Sequence, residues 1–130
     1  MSSNLLENKK PIKELLISLS HAERSVLKSE FANVPPGANL SFALMAMGAN
    51  LLPKGNYSLA EKVLQSGLKV VKKDEDKARL HLNLAQLYHD LYSQTFEAIL
   101  LEKISLNCQQ CLQLGYFIDF IPSYFNISEN

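Results

Sequence analysis

The sequence has no tryptophan, only two cysteines and no excess of either charge. Its 13 Lys and Arg residues balance 13 Asp and Glu residues, whereas a dedicated nucleic-acid-binding protein normally carries a basic excess. Five glycines and five prolines exclude collagen-like and low-complexity classes. No apolar run reaches about 18 residues, so we expect no transmembrane helix. The first residues lack a basic region followed by an apolar stretch, so we expect no secretory signal and a cytoplasmic location.

Composition and hydrophobic periodicity together indicate a single all-α domain. Hydrophobic residues make up 47% of the chain and charged residues 20%, which is ordinary for a globular protein. Apolar residues recur every three or four positions almost throughout, with no convincing alternation of period two. We therefore expect helices of about 10–20 residues joined by short loops, with consecutive helices as antiparallel neighbours.

Local start and stop signals divide the chain into six helices. Pro11 suits the first turn of the first helix, because a proline there costs no hydrogen bond. Ser20 and Glu23 have the spacing of a capping box that begins the second helix, and Pro35 and Pro36 end it. The later helices are predicted over 39–52, 58–72, 76–92 and 95–114.

Two of these helices carry small residues among large apolar ones at a specific spacing. Gly48 and Ala60 are the small residues, which let two antiparallel helices approach closely, and Gly55 stands in the turn between them. The large apolar residues around them are Leu44, Met47, Leu51, Tyr57 and Leu64. This pattern resembles the tetratricopeptide repeat, a helix–turn–helix unit of about 34 residues. The match lacks the closing proline of that family.

A second, more divergent copy of the pattern follows. His81, Leu84, Ala85 and Tyr88 repeat the first-helix spacing, although Glu102 stands where the partner helix of the family has an aromatic residue. The resemblance implies antiparallel helix hairpins stacked as a short right-handed superhelix. Its parts are a degenerate N-terminal hairpin at 11–37, the best repeat at 39–73, the divergent repeat at 76–114 and a capping helix at 115–126.

In this repeat family the first helix of each hairpin lines a concave surface where partners bind. The resemblance therefore implies a binding stripe of Phe42, Met45, Ala49 and Leu52 in the first repeat. The second repeat would present Arg79, Leu82, Gln86 and His89. The first stripe is apolar and the second polar, which favours a peptide groove with two different ends. The open alternative is that the N-terminal hairpin covers the first stripe and makes it core.

The function implied by the resemblance is a protein- or peptide-binding scaffold, such as an adaptor, a co-chaperone, a secretion chaperone or a regulatory module. His81 and His89 lie two helical turns apart, too far for one metal without further ligands, and no glycine-rich phosphate loop or nucleophile elbow occurs. We therefore expect no enzymatic activity, metal or cofactor. The alternative is a small helical-bundle regulator that associates with DNA, although the nearly uncharged helix over 39–52 would make few phosphate contacts.

Two features remain in the C-terminal part of the chain. Tyr116, Phe120 and Tyr124 lie four residues apart, on one face of a predicted helix. That face is either packed within the chain or a homodimer contact. Cys108 and Cys111 lie three residues apart in a helical pattern, without the βαβ context that a redox pair needs. We interpret both cysteines as small buried hydrophobic residues.

Overall fold

Six helices make up the described part of the computed structural model, which covers residues 2–116 and the side chains of residues 10–116. They are α1 (Ser2–Ser18), α2 (His21–Phe31), α3 (Leu40–Leu51), α4 (Tyr57–Val70), α5 (Asp74–Thr95) and α6 (Ala98–Gln113). Residues 2–116 contain no strand, which confirms the all-α prediction. None of these helices has the length and hydropathy needed to cross a membrane. The predicted capping helix lies, from residue 117 onward, outside the described residues.

The chain divides into two compact units between Val71 and Lys72. The N-terminal unit contains α1–α4, and the C-terminal unit contains α5 and α6. Within the N-terminal unit, α3 packs along α4, α1 packs against α4, and α2 packs against α3. The two N-terminal helices therefore rest on different members of the α3–α4 hairpin. The N-terminal hairpin over 11–37 stays a prediction.

The α3–α4 hairpin forms where the sequence predicts it, with helix ends within two residues of those expected. The side chain of Asn39 caps α3 by accepting a hydrogen bond of 2.8 Å from the Phe42 amide. Gly55 turns the chain with a left-handed φ of 75°, a conformation that glycine adopts without steric cost. Inside the hairpin, a Cβ added at Gly48 would lie 2.7 Å from Cγ of Leu64. The absent side chain at Gly48 is therefore what lets α4 approach α3.

The first helix begins earlier than predicted. α1 starts at Ser2 and contains Pro11 in its interior, whereas the sequence predicts a start at Pro11. A proline inside a helix donates no amide to the carbonyl four residues earlier, which here belongs to Glu7. The residues before Pro11 include Leu5 and Leu6, which favour helix. The prediction that α1 begins at Pro11, which relied on the preference of proline for the first turn of a helix, is therefore wrong.

The predicted capping box is present between α1 and α2. Ser20 Oγ accepts a hydrogen bond of 3.1 Å from the Glu23 amide, and Glu23 Oε1 accepts one of 2.9 Å from the Ser20 amide. The bond from the Ser20 amide, helped by Lys62, lowers the pKa of Glu23. Lys62 of α4 donates to this carboxylate at 3.2 Å and to the Ser18 carbonyl at 3.3 Å. One lysine thus holds the α1–α2 connection against α4.

A buried carboxylate joins α2 to the turn between α3 and α4. Glu30 is buried, and its Oε2 accepts a hydrogen bond from the ammonium of Lys54. Its Oε1 has no hydrogen-bond partner among the described residues.

After α2 the chain passes Pro35 and Pro36 and turns at Gly37, whose φ is 85°. α2 ends at Phe31, before the two prolines, which cannot continue a helix.

The C-terminal unit is a hairpin whose helix ends differ from the prediction by one to three residues. α5 begins at Asp74 rather than at residue 76. The three acidic residues of its first turn interact favourably with the positive end of the helix dipole, which stabilises the earlier start. It continues to Thr95, and Phe96 then adopts a left-handed φ of 57° that ends the helix. Consequently α6 begins at Ala98, three residues later than expected.

Polar contacts help to close this second hairpin. Asn107 donates from Nδ2 to the Lys103 carbonyl at 2.8 Å, so its Oδ1 faces Nδ1 of His81 at 2.8 Å. His81 Nδ1 therefore carries the hydrogen and donates. The thiol of Cys111 donates to the Ala78 carbonyl at 3.2 Å. The fully buried side chains around these contacts are Leu80, Leu84, Leu87, Ile104, Cys108 and Cys111.

Candidate peptide-binding groove

An apolar groove of about 260 Å³ lies in the N-terminal unit, between α1, α2 and α3. Eight of its lining residues are apolar, and the other two are basic. The lining residues are Ile12, Leu15, Leu16, Arg24, Leu27, Lys28, Phe31, Leu40, Leu44 and Met47. We call this site the apolar groove. It exists because α1 and α2 pack on different helices and leave space between them.

The apolar groove has a buried floor and an exposed rim. Leu44 and Met47 of α3 are buried and form part of the floor. On the rim, the side chain of Leu16 is 41% exposed and that of Phe31 is 58% exposed. A large aromatic side chain left exposed beside an apolar depression is a common feature of protein-binding surfaces. The groove is thus able to bury apolar side chains supplied by another molecule.

Both charged residues of the apolar groove are cationic. Arg24 donates from Nε to the Leu16 carbonyl at 2.9 Å, in the last turn of α1. This bond satisfies a helix-end carbonyl and fixes the guanidinium at the rim. No carboxylate of the described residues forms an ion pair with Arg24 or Lys28. No acidic residue is among the described residues that line the groove.

A second groove, between α1 and α4, has a different chemical character. It has a volume of about 360 Å³, and its charged lining residues are Glu14, Glu61, Lys62 and Lys69. These charges are of both signs and partner one another or their neighbours. Lys69 pairs with Glu14 at 3.5 Å, and Lys62 pairs with Glu23 at 3.2 Å. We call this site the polar groove. Because its lysines already pair with carboxylates of the chain, a charged ligand would gain little by binding there.

The first predicted stripe does not line either groove. Phe42 is 50% exposed, and Ala49 is partly buried. Met45 and Leu52 are 8% and 5% exposed, which is the burial of core residues. Two of the four residues are therefore buried in this structure. The role of the stripe in binding stays a prediction.

The second predicted stripe lies along α5 in the C-terminal unit. Arg79 is exposed and forms an ion pair of 3.7 Å with Glu75, one turn earlier. Leu82 is partly buried, and Gln86 is exposed. His89 places Nδ1 3.8 Å from Oδ1 of Asp90. These residues share a helix, and they line neither the apolar groove nor the polar groove. Their role in binding stays a prediction.

Sequence reasoning missed the residues of the apolar groove. Leu27 and Phe31 are recognisable as the apolar side of α2, and Ile12, Leu15 and Leu16 as that of α1. The available signal was that Leu15 and Leu16 are adjacent, so the apolar surface of α1 is wider than one neighbouring helix can cover. Which helices would cover it depends on contacts between residues far apart in sequence.

Both cysteines are buried free thiols, which confirms the interpretation of Cys108 and Cys111 as core residues. Burial, together with the neighbouring Cys111, raises the pKa of the Cys108 thiol to about 11. Burial also raises the pKa of Cys111. A thiol that stays protonated is a poor nucleophile and a poor metal ligand. Among the described residues, no cluster of three His, Cys, Asp or Glu residues could hold a metal ion.

The predicted aromatic contact falls mostly outside the described residues. Tyr116 is described and exposed. Phe120 and Tyr124 lie beyond residue 116, so the proposed homodimer face is not part of the described structure.

Comparisons of this chain with protein-family models, with curated proteins and with solved structures found no match.

Proposed function

We propose that this chain is a protein- or peptide-binding module and that the apolar groove is its binding surface. The observation that carries this proposal is the exposed rim formed by Leu16 and Phe31 over an apolar floor. Water held against such a surface is released when apolar side chains fill it, which favours association. Peptide-binding grooves commonly accept the apolar face of a helix in this way.

We further propose that the hairpins belong to the tetratricopeptide-like type. Support comes from the α3–α4 hairpin, in which Gly48 lies against Leu64 and Gly55 makes the turn. The binding surface proposed here differs from the one that the family resemblance implies. It involves α1, α2 and α3 of the N-terminal unit rather than the stripe of Phe42, Met45, Ala49 and Leu52.

A pair of phenylalanine variants tests the binding surface. Phe31 and Phe42 lie in the same unit and are similarly exposed, but only Phe31 lines the apolar groove. Peptides would be selected on the wild-type chain from a displayed library of random sequences, and their dissociation constants measured by fluorescence anisotropy. Phe31→Ala should weaken binding by about tenfold or more, because an exposed aromatic side chain that becomes buried against a partner can carry a large share of the binding energy. Phe42→Ala should leave binding unchanged.

Two outcomes would contradict the proposal. If the library yields no peptide that binds the folded wild-type chain, the binding function is wrong. If Phe42→Ala weakens binding and Phe31→Ala does not, the binding surface is the predicted stripe and not the apolar groove. Circular dichroism of both variants controls for unfolding, and both side chains are exposed enough that truncation should cost little stability.

A further inference from the structure

We infer that the apolar groove selects an acidic amphipathic helix, a segment with apolar anchors on one face and carboxylates beside them. This inference rests on the proposed function, since it names the partner of that same groove. It depends on three properties of the site, which are the arrangement of its apolar residues, the sign of its charge and the spacing of its cations.

The apolar residues come from three helices that enclose one depression. Leu16 of α1 and Phe31 of α2 lie on the rim, and Leu44 of α3 lies at the floor. Leu27 and Phe31 are four residues apart on α2 and so lie on the same face of that helix. A helix laid against these residues would present its own apolar side chains at intervals of three and four residues.

The charged residues of the groove disfavour a basic partner. Among the described residues, Arg24 and Lys28 line it, no acidic residue does, and neither cation pairs with a carboxylate. The polar groove gives the internal contrast, because its ammonium groups already have carboxylate partners. A carboxylate arriving at the apolar groove would therefore gain a new attraction without breaking an ion pair. A lysine arriving there would meet two like charges.

The spacing of the two cations favours a helical partner. Arg24 and Lys28 are one turn apart, about 6 Å along the axis of α2. Two carboxylates one turn apart on a neighbouring helix have the same separation. The guanidinium of Arg24 is also held in place by its bond to the Leu16 carbonyl, which lowers the entropy cost of pairing.

Three synthetic helical peptides test the charge preference. They share one leucine pattern at intervals of three and four residues and differ only at two flanking positions, which carry glutamate, glutamine or lysine. Binding to the full chain is measured by fluorescence anisotropy at low and high salt. The glutamate peptide should bind at least about fivefold more tightly than the glutamine peptide at low salt, and the lysine peptide more weakly than both. The advantage should shrink at high salt, where exposed charges are screened.

A charge-reversal variant tests whether the groove cations are responsible. Lys28→Glu should remove the preference for the glutamate peptide and improve binding of the lysine peptide. Lys13→Glu is the matched control, because it makes the same change in net charge on an exposed residue of α1 that does not line the groove. The control should keep the wild-type order of affinities.

The outcomes separate this inference from the proposed function. If all three peptides bind equally and Phe31→Ala weakens all of them, the groove binds apolar helices but the acidic preference is wrong. If the two reversal variants change the preference equally, only net charge matters and the inference is again wrong. If none of the peptides binds while library selection succeeds, the groove takes a segment that is not an amphipathic helix, which also overturns the inference.

Discussion

The α3–α4 hairpin and the α5–α6 hairpin are closed by different kinds of contact. In the first, Gly48 allows α4 to approach so closely that a Cβ there would overlap Leu64. In the second, the equivalent small residue is Ala85, and a hydrogen bond of 2.8 Å between His81 and Asn107 joins the two helices. Close packing of complementary side chains therefore holds the first hairpin together. In the second hairpin, a hydrogen bond between two polar side chains adds to the packing.

This difference shows that a shared spacing pattern does not fix the type of packing. Both hairpins carry a small residue flanked by large ones. The first copy has glycine and leucine at facing positions, whereas the second has a histidine that needs a hydrogen-bond partner. The consequences for stability should differ accordingly, and four measurements test this.

The largest effect is expected for Gly48→Ala. Alanine normally stabilises a helix interior by about 1 kcal/mol relative to glycine. Here the new Cβ would collide with the buried Leu64, so we expect a net loss of about 1–3 kcal/mol in the free energy of unfolding, measured with urea. The double variant Gly48→Ala with Leu64→Ala should cost less than the sum of the single changes. Stabilisation by Gly48→Ala alone would show that the close contact does not limit the packing.

The next effect concerns the buried thiols of the second hairpin at high pH. The pKa of Cys108 is about 11 in the folded chain against 9.0 for a free thiol, so the unfolded chain loses this proton first as pH rises. The free energy of unfolding should then fall between about pH 9 and pH 11, by on the order of 2 kcal/mol. It should not change for this reason below about pH 8.

The variant Cys108→Ala isolates this contribution, because lysine and tyrosine titrations are common to both proteins. Its free energy of unfolding should decline less steeply than that of the wild-type chain over the same range. Equal slopes would mean that the folded environment does not favour the protonated thiol.

A smaller effect is expected when Asn107 is replaced by leucine. His81 would then lose its acceptor, and an unpaired, partly buried donor costs about 1 kcal/mol. Replacing His81 by leucine as well should recover most of that loss, because the need for a partner disappears. Urea unfolding of the two single variants and the double variant gives the coupling energy. Strict additivity would argue against the bond as a source of stability.

The smallest effect is expected for Arg79→Gln. Arg79 and Glu75 form an exposed pair of 3.7 Å on one face of α5, and such pairs contribute about 0.5 kcal/mol or less. The difference in thermal stability should vanish in concentrated salt, where the pair is screened. A loss above about 1 kcal/mol that persists in salt would instead indicate that Arg79 has a packing role.

Much of the local structure follows from residues near one another in the chain. The capping box at Ser20 and Glu23, the cap at Asn39 and the turn at Gly55 each depend on contacts within four residues. Sequence signals place the capping box and the turn correctly, whereas the predicted helix over 39–52 includes Asn39 rather than beginning after it as its cap. Pro11 is the exception, since its local preference is outweighed by the helix-forming residues before it.

The candidate site was less predictable than the helices. Phe42 and Met45 are neighbours in the stripe predicted from the repeat resemblance, yet one is half exposed and the other is buried. Periodicity places both on α3 but cannot tell which neighbour covers which side chain. Phe31 and Leu27 likewise belong to one apolar stripe of α2, yet Leu27 is buried and Phe31 is exposed. Periodicity cannot tell them apart either.

Hydrophobic periodicity, helix caps and turn residues dictate that this chain forms helices and where most of them end, because those forces act over a few residues. The apolar groove was decided only in the tertiary structure. It arises because α1 packs against α4 and α2 packs against α3, which leaves Leu16, Phe31 and two cations, Arg24 and Lys28, around one depression. Such an arrangement depends on how surfaces distant in sequence compete for burial, and no local pattern encodes that outcome.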